Sequence, residues 1–528
     1  MSAHRHLLIM PQFQREPEPN FLISPAGRTP IVNLADYIRP DWYLRKNADV
    51  DQAGQSAFSH FLGYGHAEGR DPNPMFDSHY YRTNNPDVRG DWLRHYAEHG
   101  WREGRNPHEW FSVSDYLRAN PDVAENNIDP LLHYVKFGRD EGRAPSAKHR
   151  KPSKPIALLA DEYCPDSSRD AGSVSQLAYI KIFQNLGYEV HHFAIYDHAS
   201  SELDDPKHCA NFMRENGVHV IAGGRDCSSI DDYLFRYGKN IKVAFLSRYK
   251  TGMALLELFK LLCPRTKIIF NTVDLHHLRE RRHARIRQAP QVYELAKTSE
   301  RCEFEMLRKA DASIVVSSFE RQYLEERGFD VAHIPLLQDF RDSSPPGYAG
   351  RAGLGFIGEP SHSPNHDAVK SFLSEVWPIL HSSRPELTLS LAGAGWGAVF
   401  ENENVPGVKL LGRVVGLEGF FDPLMLTIAP LRYGAGTKGK IVSSLGNGVP
   451  CVATSIAVEG MDLTEGKNIV VADTAEDFAN AVLSLYDDRG RWEQISRAGL
   501  EFHRENCSLS HGTALTYKML QSADALPA

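Results

Sequence analysis

A series of short, almost continuous apolar runs, beginning at residue 155, is the strongest constraint on the fold. Examples are PIALLAD at 155–161 and IKVAFLS at 241–247, and stretches of helical periodicity separate runs of this kind. Strands without polar alternation are typical of parallel sheets that are covered on both faces. The sequence therefore predicts an α/β fold built from βαβ units.

The apolar runs fall into two sets, and the tripeptide Pro345-Pro346-Gly347 lies at the seam between them. A chain of 528 residues is too long for one hydrophobic core, so we expect two Rossmann-like domains joined by a hinge at 336–352. The predicted organisation is an N-terminal tail (1–30), a repeat region (31–146), a linker (147–154), an N-terminal Rossmann-like acceptor domain (155–340), a C-terminal Rossmann-like donor domain (341–505), and a C-terminal helix and tail (506–528).

The repeat region consists of two sequence motifs, each of which occurs three times. The first motif occurs as YLRKNADV (43–50), YRTNNPDV (81–88) and YLRANPDV (116–123). The second is HFLGYGHAEGRDP (60–72), HYAEHGWREGRNP (95–107) and HYVKFGRDEGRAP (133–145). A period of 35 to 38 residues is typical of small stacked repeats, and each unit is expected to form two short helices. Such an all-α array is more often a docking surface than a catalyst.

Two features of the repeats allow more than one interpretation. His60, His95 and His133 recur once per unit, which suggests a metal site, but they lack partner ligands at short spacing, and the repeat itself explains their recurrence. The Glu-Gly-Arg triplets at 68–70, 103–105 and 141–143 are expected to form ion pairs between repeats or helix caps.

Composition excludes several classes of protein. The formal net charge of −8 and the absence of RNA or DNA motifs argue against a nucleic-acid binder. The longest apolar run, at 253–263, is too short to cross a bilayer, and the N-terminus lacks the apolar core of a secretory signal. The seven cysteines form no C-x-x-C pair, which fits reduced thiols in the cytoplasm. We therefore expect a cytoplasmic protein, with peripheral contact to the inner membrane left open.

The stretch APLRYGAGTKGKIVSSLGNGVPCVATS at 429–455 combines an apolar strand, a glycine-rich loop and two lysines. Ligands of parallel sheets bind beyond the carboxyl ends of the strands. Gly434 and Gly436 permit a tight turn and close approach to a ligand, while Lys438 and Lys440 add positive charge. The loop is therefore predicted to bind a phosphate, although a plain turn with solvated lysines would show the same residues.

With these residues in view, the chain resembles the glycosyl transferases group 1 superfamily, of GT-B fold, which includes the large retaining family 4. The segments that carry the resemblance are FIGEPSHSPNHDAV (356–369), the loop segment extended to 429–461, FANAVLSLYDD (478–488), DSSRDAGS (166–173) and NTVDLHHLRERR (271–282). Together they span about residues 155–505. The helical repeats resemble short repeats fused to some bacterial glycosyltransferases.

The resemblance implies a nucleotide-sugar donor bound mainly by the C-terminal domain and an acceptor bound mainly by the N-terminal domain. It also implies that no metal is essential, and we expect no cofactor besides the nucleotide sugar as substrate. Basic side chains and helix N-termini would then stabilise the leaving diphosphate. The expected acceptor is a glycan, a lipid-linked molecule or a protein, and a protein partner or a second copy of the chain would dock on residues 31–146.

The candidate site residues combine positions at strand ends with the resemblance. The donor-binding candidates are Arg432, Gly434, Gly436, Lys438, Lys440, Ser443 and Glu459. The catalytic candidates are His276, His277 and Asp274, together with Lys438, and the acceptor-binding candidates are Arg169, Asp170 and Arg248. Alternative interpretations are a polar loop pinned by His–Asp hydrogen bonds and, for Glu459, a surface carboxylate or helix cap.

The loop departs from the superfamily at one point. Members commonly carry two glutamates eight positions apart, where this chain has Ala435 and Ser443, so it lacks the two carboxylates that usually contact the donor. Three hypotheses remain open. The first is a glycosyltransferase, retaining and metal-independent as the resemblance implies, and the second is a catalytically silent GT-B scaffold that binds nucleotide or glycan. The third is a GT-B sugar-nucleotide epimerase, which the scarcity of carboxylates near the sugar disfavours.

Overall fold

The computed structural model of the protein describes residues 32–166, 171–196, 206–223, 225–339, 341, 343–402, 405–414 and 416–527. Two parallel α/β sheets follow a helical region, which confirms the predicted fold class.

The first sheet has seven parallel strands in the order β3-β2-β1-β4-β5-β6-β7. Its strands are β1 (Ile156–Asp161), β2 (Glu189–Ala194), β3 (His219–Val220), β4 (Ile241–Ser247), β5 (Lys267–Asn271), β6 (Ala312–Val315) and β7 (Ala332–His333). The accompanying helices are Ala171–Asn185, Pro206–Glu215, Ile230–Tyr237, Tyr249–Leu262, His276–Arg287, Pro290–Lys309 and Ser318–Glu325. Strand β1 is buried along its whole length, as its apolar sequence predicted.

The second sheet has six parallel strands in the order β10-β9-β8-β11-β12-β13. Its strands are β8 (Leu354–Ile357), β9 (Leu389–Ala392), β10 (Val408–Gly412), β11 (Leu426–Ala429), β12 (Cys451–Ala453) and β13 (Val470–Val471). Its helices are Ser363–Ser371, Phe372–Val376 (a π-helix), Trp377–Ser383, Trp396–Val399, Leu417–Phe421, Gly439–Gly446, Ser455–Val458, Ala475–Asp487 and Arg489–Asn506.

The last helix, Leu509–Ser522, returns to the N-terminal sheet. Met519 and Leu520 are buried in the same apolar cluster as Leu159 of β1. The Tyr188 hydroxyl donates a hydrogen bond to the carbonyl of Ala525, which fixes the end of the chain there. The helix Leu509–Ser522 thus connects the C-terminal half of the fold back to the N-terminal sheet. No helix in the described part of the chain is both long and apolar enough to span a membrane.

The repeat region is helical, with more elements than the two helices per unit that the sequence predicted. An additional short helix follows the first one in two of the units, at Ala48–Gln52 and Pro121–Glu125. The other elements are Leu34–Tyr37 (3-10), Pro40–Lys46, Ala57–His60, Phe61–Gly65 (π), Ser78–Asn84, Trp92–His95, Tyr96–Gly100 (π), Val113–Ala119, Pro130–His133, Tyr134–Gly138 (π) and Arg139–Glu141.

Each repeated histidine is held by a tyrosine of its own unit. Nδ1 of His60, His95 and His133 lies 2.9, 3.0 and 2.8 Å from the hydroxyl of Tyr43, Tyr81 and Tyr116, respectively. A glycine of the same unit, Gly65, Gly100 or Gly138, lies so close to this hydroxyl that a Cβ would overlap it. Among the described residues, no group of three His, Cys, Asp or Glu side chains could hold a metal ion. The structure therefore gives each of these histidines a structural role, as the partner of a tyrosine hydroxyl in its own unit.

The repeated arginines form ion pairs within units, so the expected pairing between repeats was wrong. Arg70 pairs with Glu68 at 2.6 Å and with Asp49 at 2.8 Å, and Arg105 and Arg143 make the equivalent pairs in the other units. Each arginine also donates to the asparagine that ends the first helix of its unit, as Arg70 does to Asn47. These contacts join the first sequence motif of a unit to the second motif of the same unit.

The repeats share one hydrophobic core with the N-terminal sheet. Tyr134 of the third unit packs against Phe235, with ring centroids 6.1 Å apart, and both side chains are buried. At the other end of the array, the indole nitrogen of Trp42 donates to Asp231 at 2.8 Å. The array is therefore fixed to the helices Ile230–Tyr237 and Tyr249–Leu262 rather than attached only through its linker.

Candidate functional site between the two domains

The glycine-lysine loop follows β11 and lies against the N-terminal domain. The amide of Gly436 donates to Oε1 of Glu320 at 2.8 Å, and the Thr437 hydroxyl donates to the carbonyl of Val316 at 2.6 Å. Gly436 has a φ of 61°, and a Cβ at this position would lie 2.8 Å from Cβ of Asp274. Only glycine fits both the left-handed backbone and this close approach. The loop thus closes onto the carboxyl ends of strands from the other domain.

Lys438 is buried in this junction, with 6% of its surface exposed. Its ammonium donates to the carbonyl of Gly436 at 2.6 Å and to that of Ala435 at 3.4 Å. Burial lowers the pKa of Lys438 to about 8, against the opposing effect of nearby carboxylates such as Glu320. The lysine is therefore enclosed between the domains, and it stabilises the turn of its own loop.

The other two predicted cations of the loop have partners on helix Ser363–Ser371. Nζ of Lys440 donates to Oδ1 of Asn365 at 3.0 Å. Arg432 makes a bidentate pair with the buried Asp367, at 2.6 and 2.7 Å. Burial, and then the charge of Lys438, lower the pKa of Lys440 to about 8. Three cationic side chains thus lie around one loop, close enough for one charge to shift the pKa of another.

Helix His276–Arg287 contributes a further cation from the N-terminal domain. Nη1 of Arg282 donates to the carbonyl of Gly434 at 2.6 Å, and its Nη2 donates to both carboxylate oxygens of Glu459, at 2.8 and 3.0 Å. On the other side of the loop, the Ser443 hydroxyl donates to Gln338 at 3.1 Å. Glu459 is therefore ion-paired across the domains, and its role in donor binding stays a prediction.

The His276 ring lies beside Asp274 at the start of the same helix. Nε2 of His276 lies 3.1 Å from Asp274, and Arg279 also contacts this carboxylate. Burial raises the pKa of Asp274, but Arg279 and His276 outweigh that effect and hold the pKa well below its usual value. Asp274 is therefore ionised and holds the His276 ring beside the glycine-lysine loop.

His277 is placed differently from its neighbour. Its ring has no exposed surface, and Nδ1 lies 2.5 Å from Glu303 while Nε2 lies 3.1 Å from the Tyr323 hydroxyl. Burial lowers the pKa of His277 to about 4 and raises that of Glu303 to about 8. With both ring nitrogens occupied, the geometry favours the interpretation of His277 as part of a pinned polar loop.

The acceptor candidates are only partly placed. Arg169 and Asp170 lie outside the described residues. Arg248, with a φ of 66°, follows β4 and pairs with Asp161 at the end of β1, with N–O distances of 2.5 Å. This pair lies at the same edge of the sheet as the loop that holds Asp274, because all strands of the sheet are parallel.

Sequence reasoning missed Glu320, Arg282 and Glu303 as parts of this junction. Glu320 belongs to the SSFE segment at 317–320, which indicates only a capping box. Arg282 is one of several arginines in a highly charged segment, and the sequence does not distinguish it from the others. Glu303, which accepts the His276 amide at 2.7 Å, lies within a long helix and carries no local signal. All three residues form hydrogen bonds to residues that are distant in sequence.

Comparisons with known proteins agree with this architecture. A family model described as Glycosyl transferases group 1 matches residues 351–488. Sucrose-phosphate synthase from Thermosynechococcus elongatus is 12% identical, with a TM-score of 0.55 over 70% of this chain and 99% of that one. HepE from Anabaena, solved in complex with UDP and glucose, is 14% identical, with a TM-score of 0.52 over the same shares. These similarities confirm the GT-B fold.

One curated sequence is also similar. It is an uncharacterized 44.6 kDa protein in the cps region of Klebsiella pneumoniae, 22% identical over 184 residues. The aligned part makes up 33% of this chain and 47% of that protein, so the chain spans about half the length of this relative.

Proposed function

We propose that this chain, in which residues 351–488 match a model described as Glycosyl transferases group 1, transfers a sugar from a nucleotide diphosphate donor to a glycan or other cell-envelope acceptor. The observation that carries the proposal is the glycine-lysine loop, buried between two parallel sheets with Lys438, Lys440 and Arg282 around it. A site that concentrates positive charge in a water-poor crevice suits a leaving diphosphate. HepE, which shares the fold, was solved with UDP and glucose.

The donor contacts we propose require the present ion pairs to open. Arg432 is paired with Asp367, Arg282 with Glu459, and Lys440 with Asn365. A diphosphate would replace these partners, since it offers more charge and more acceptor oxygens to the same cations. The helix Gly439–Gly446, whose N-terminus faces the loop, adds a favourable dipole.

On the acceptor side we assign the chemistry to the His276–Asp274 pair. Nε2 of His276 is held by the ionised carboxylate, so the ring can orient a sugar hydroxyl or accept a proton from the acceptor. Arg248 and the segment at 169–170 would contact the acceptor. Retention of configuration and independence from metal ions complete the proposal, and the cps region of the Klebsiella relative is compatible with a polysaccharide as product.

The proposal is tested with a panel of nucleotide sugars, measuring binding by calorimetry and turnover by release of the nucleotide diphosphate. We expect Lys440→Ala and Lys438→Ala to weaken binding of UDP or the preferred diphosphate by about tenfold or more, the loss of one charged hydrogen bond. The matched control is Lys467→Ala, an exposed lysine of the same domain, which should leave binding unchanged. Unchanged binding in both loop variants would refute the assignment of the loop.

A second candidate function is a catalytically silent scaffold that binds nucleotide or glycan and assembles partners through the repeats. The observation that favours it is the presence of Ala435 and Ser443 in place of the two glutamates, with Ser443 bonded to Gln338. Such a protein would bind a nucleotide diphosphate in the calorimeter without releasing it from any donor. Turnover of any nucleotide sugar above the rate of Lys438→Ala would eliminate this candidate.

A further inference from the structure

Glu320 joins the two loops of the proposed site through one oxygen atom. It lies in the first turn of helix Ser318–Glu325 and has 1% of its surface exposed. Its Oε1 accepts the amide of Leu275 at 3.0 Å and the amide of Gly436 at 2.8 Å. Leu275 belongs to the N-terminal domain and Gly436 to the C-terminal domain, so the carboxylate bridges them.

Both amides are close neighbours of residues that we place in the site. Leu275 directly precedes His276, and Gly436 lies two residues before Lys438. The backbone at Gly436 also packs on Asp274, which lies on the other side of Leu275. A shift of the Glu320 oxygen would therefore displace the histidine loop and the lysine loop relative to each other.

The environment of Glu320 is costly for a side chain that only caps a helix. Ser317 already accepts the Glu320 amide as the N-cap of this helix. Within the described part of the chain, Oε2 of Glu320 has no hydrogen-bond partner, and burying a carboxyl group with one such oxygen is unfavourable. The two amides that Oε1 accepts, one from each domain, are the contacts that offset this cost.

We propose that Glu320 is a positioning residue that acts as a clasp between the two domains. Because of this clasp, the cleft between the domains closes in the same event that aligns Lys438 with His276. Its catalytic consequence rests on the function proposed above. The clasp itself does not depend on turnover and can be tested without a known donor.

The test uses the full chain and compares Glu320→Gln with Glu320→Asp. Glutamine keeps an acceptor oxygen at the same reach, whereas aspartate keeps the charge but is one methylene shorter. The matched control is Asp232→Ala. Asp232 is equally buried and accepts two amides, of Ser228 at 2.6 Å and Ser229 at 3.1 Å, but it does so within one domain.

Small-angle scattering measures the opening of the cleft, and calorimetric titration with UDP measures the alignment of the loop. We expect Glu320→Asp to increase the radius of gyration and to weaken UDP binding about tenfold, as for the loss of a buried hydrogen bond. Glu320→Gln should retain the compact form and most of the affinity. Asp232→Ala should lower the unfolding temperature without changing either quantity.

The outcomes separate the clasp from the proposed function. If Glu320→Asp matches the wild type in both measurements, or if the Gln and Asp variants lose the same amount, the proposal of a geometric clasp is overturned. The same holds if Asp232→Ala opens the cleft equally. If the wild-type chain binds none of the nucleotide sugars of the panel described above but Glu320→Asp still opens the cleft, the clasp is supported and the function proposed above is refuted.

Discussion

Replacing Gly100 in the second repeat tests whether the tyrosine–histidine contact shapes the array. Gly100 has a helical backbone, so alanine would meet no strain in the main chain. A Cβ at this position would, however, overlap the hydroxyl of Tyr81, which is bonded to His95. The effect of Gly100→Ala should therefore depend on whether that hydroxyl is present.

The magnitude follows from three contributions. Overpacking costs about 1–3 kcal/mol, and displacing the Tyr81 hydroxyl from His95 costs about 1 kcal/mol more. The gain from alanine over glycine in a helix is about 0.5–1 kcal/mol. We expect Gly100→Ala to lower the free energy of unfolding by about 2 kcal/mol in the wild type. In a Tyr81→Phe background the overlapping atom is absent. The remaining close approaches of the added Cβ, to the ring carbon Cζ of residue 81 at 3.3 Å and to Nδ1 of His95 at 3.4 Å, offset the gain of alanine over glycine, so the change should lie within about 0.5 kcal/mol of zero.

The assay is urea unfolding of the four proteins of this double-mutant cycle, followed by tryptophan fluorescence. Four of the seven tryptophans lie in the repeats, at positions 42, 92, 101 and 110, so the signal reports on the array. A coupling energy of about 2 kcal/mol between the two substitutions is the expected result. If Gly100→Ala costs the same in both backgrounds, the hydroxyl is not the reason for glycine at this position, and the reasoning is refuted.

Three further predictions concern the core and the buried charges. Phe235→Ala should lower the free energy of unfolding by about 3–5 kcal/mol. Because Tyr134 packs on this ring, the repeats and the N-terminal domain of the variant should still unfold together. Two separate fluorescence transitions would contradict this prediction. Lys440→Met should bind UDP more weakly than the wild type, yet without ligand it should unfold at the same or a higher urea concentration. The reason is that burial lowers the pKa of this lysine to about 8 and so disfavours its charged form. A variant less stable than the wild type would contradict this prediction. The pKa of Glu303 is raised from 4.5 to about 8 by burial, so the folded state keeps a proton that the unfolded chain releases, and the stability contributed by this group should decline between those pH values. Glu303→Gln should remove that part of the pH dependence in urea unfolding, and an unchanged profile would contradict it.

Much of the fold was readable because the signals are local. Continuous apolar runs such as 241–247 predicted buried parallel strands, and β4 occupies that range. The repeats were visible as self-similarity of the chain. The glycine-lysine loop was predictable as a strand-to-helix connection, since glycines and an apolar strand occur side by side in the sequence.

The sequence by itself therefore determined the order of the strands along the chain, the repeats and the position of the candidate loop, because backbone sterics and the periodicity of apolar residues act over a few neighbouring residues. Only the tertiary structure decided that Lys438 faces carbonyls of its own loop, that His277 is buried beside Glu303, and that Glu320 bonds to both domains. Glu320 and Gly436 are 116 positions apart. Contacts of that kind depend on how whole sheets and helices pack against one another, and no local pattern encodes them.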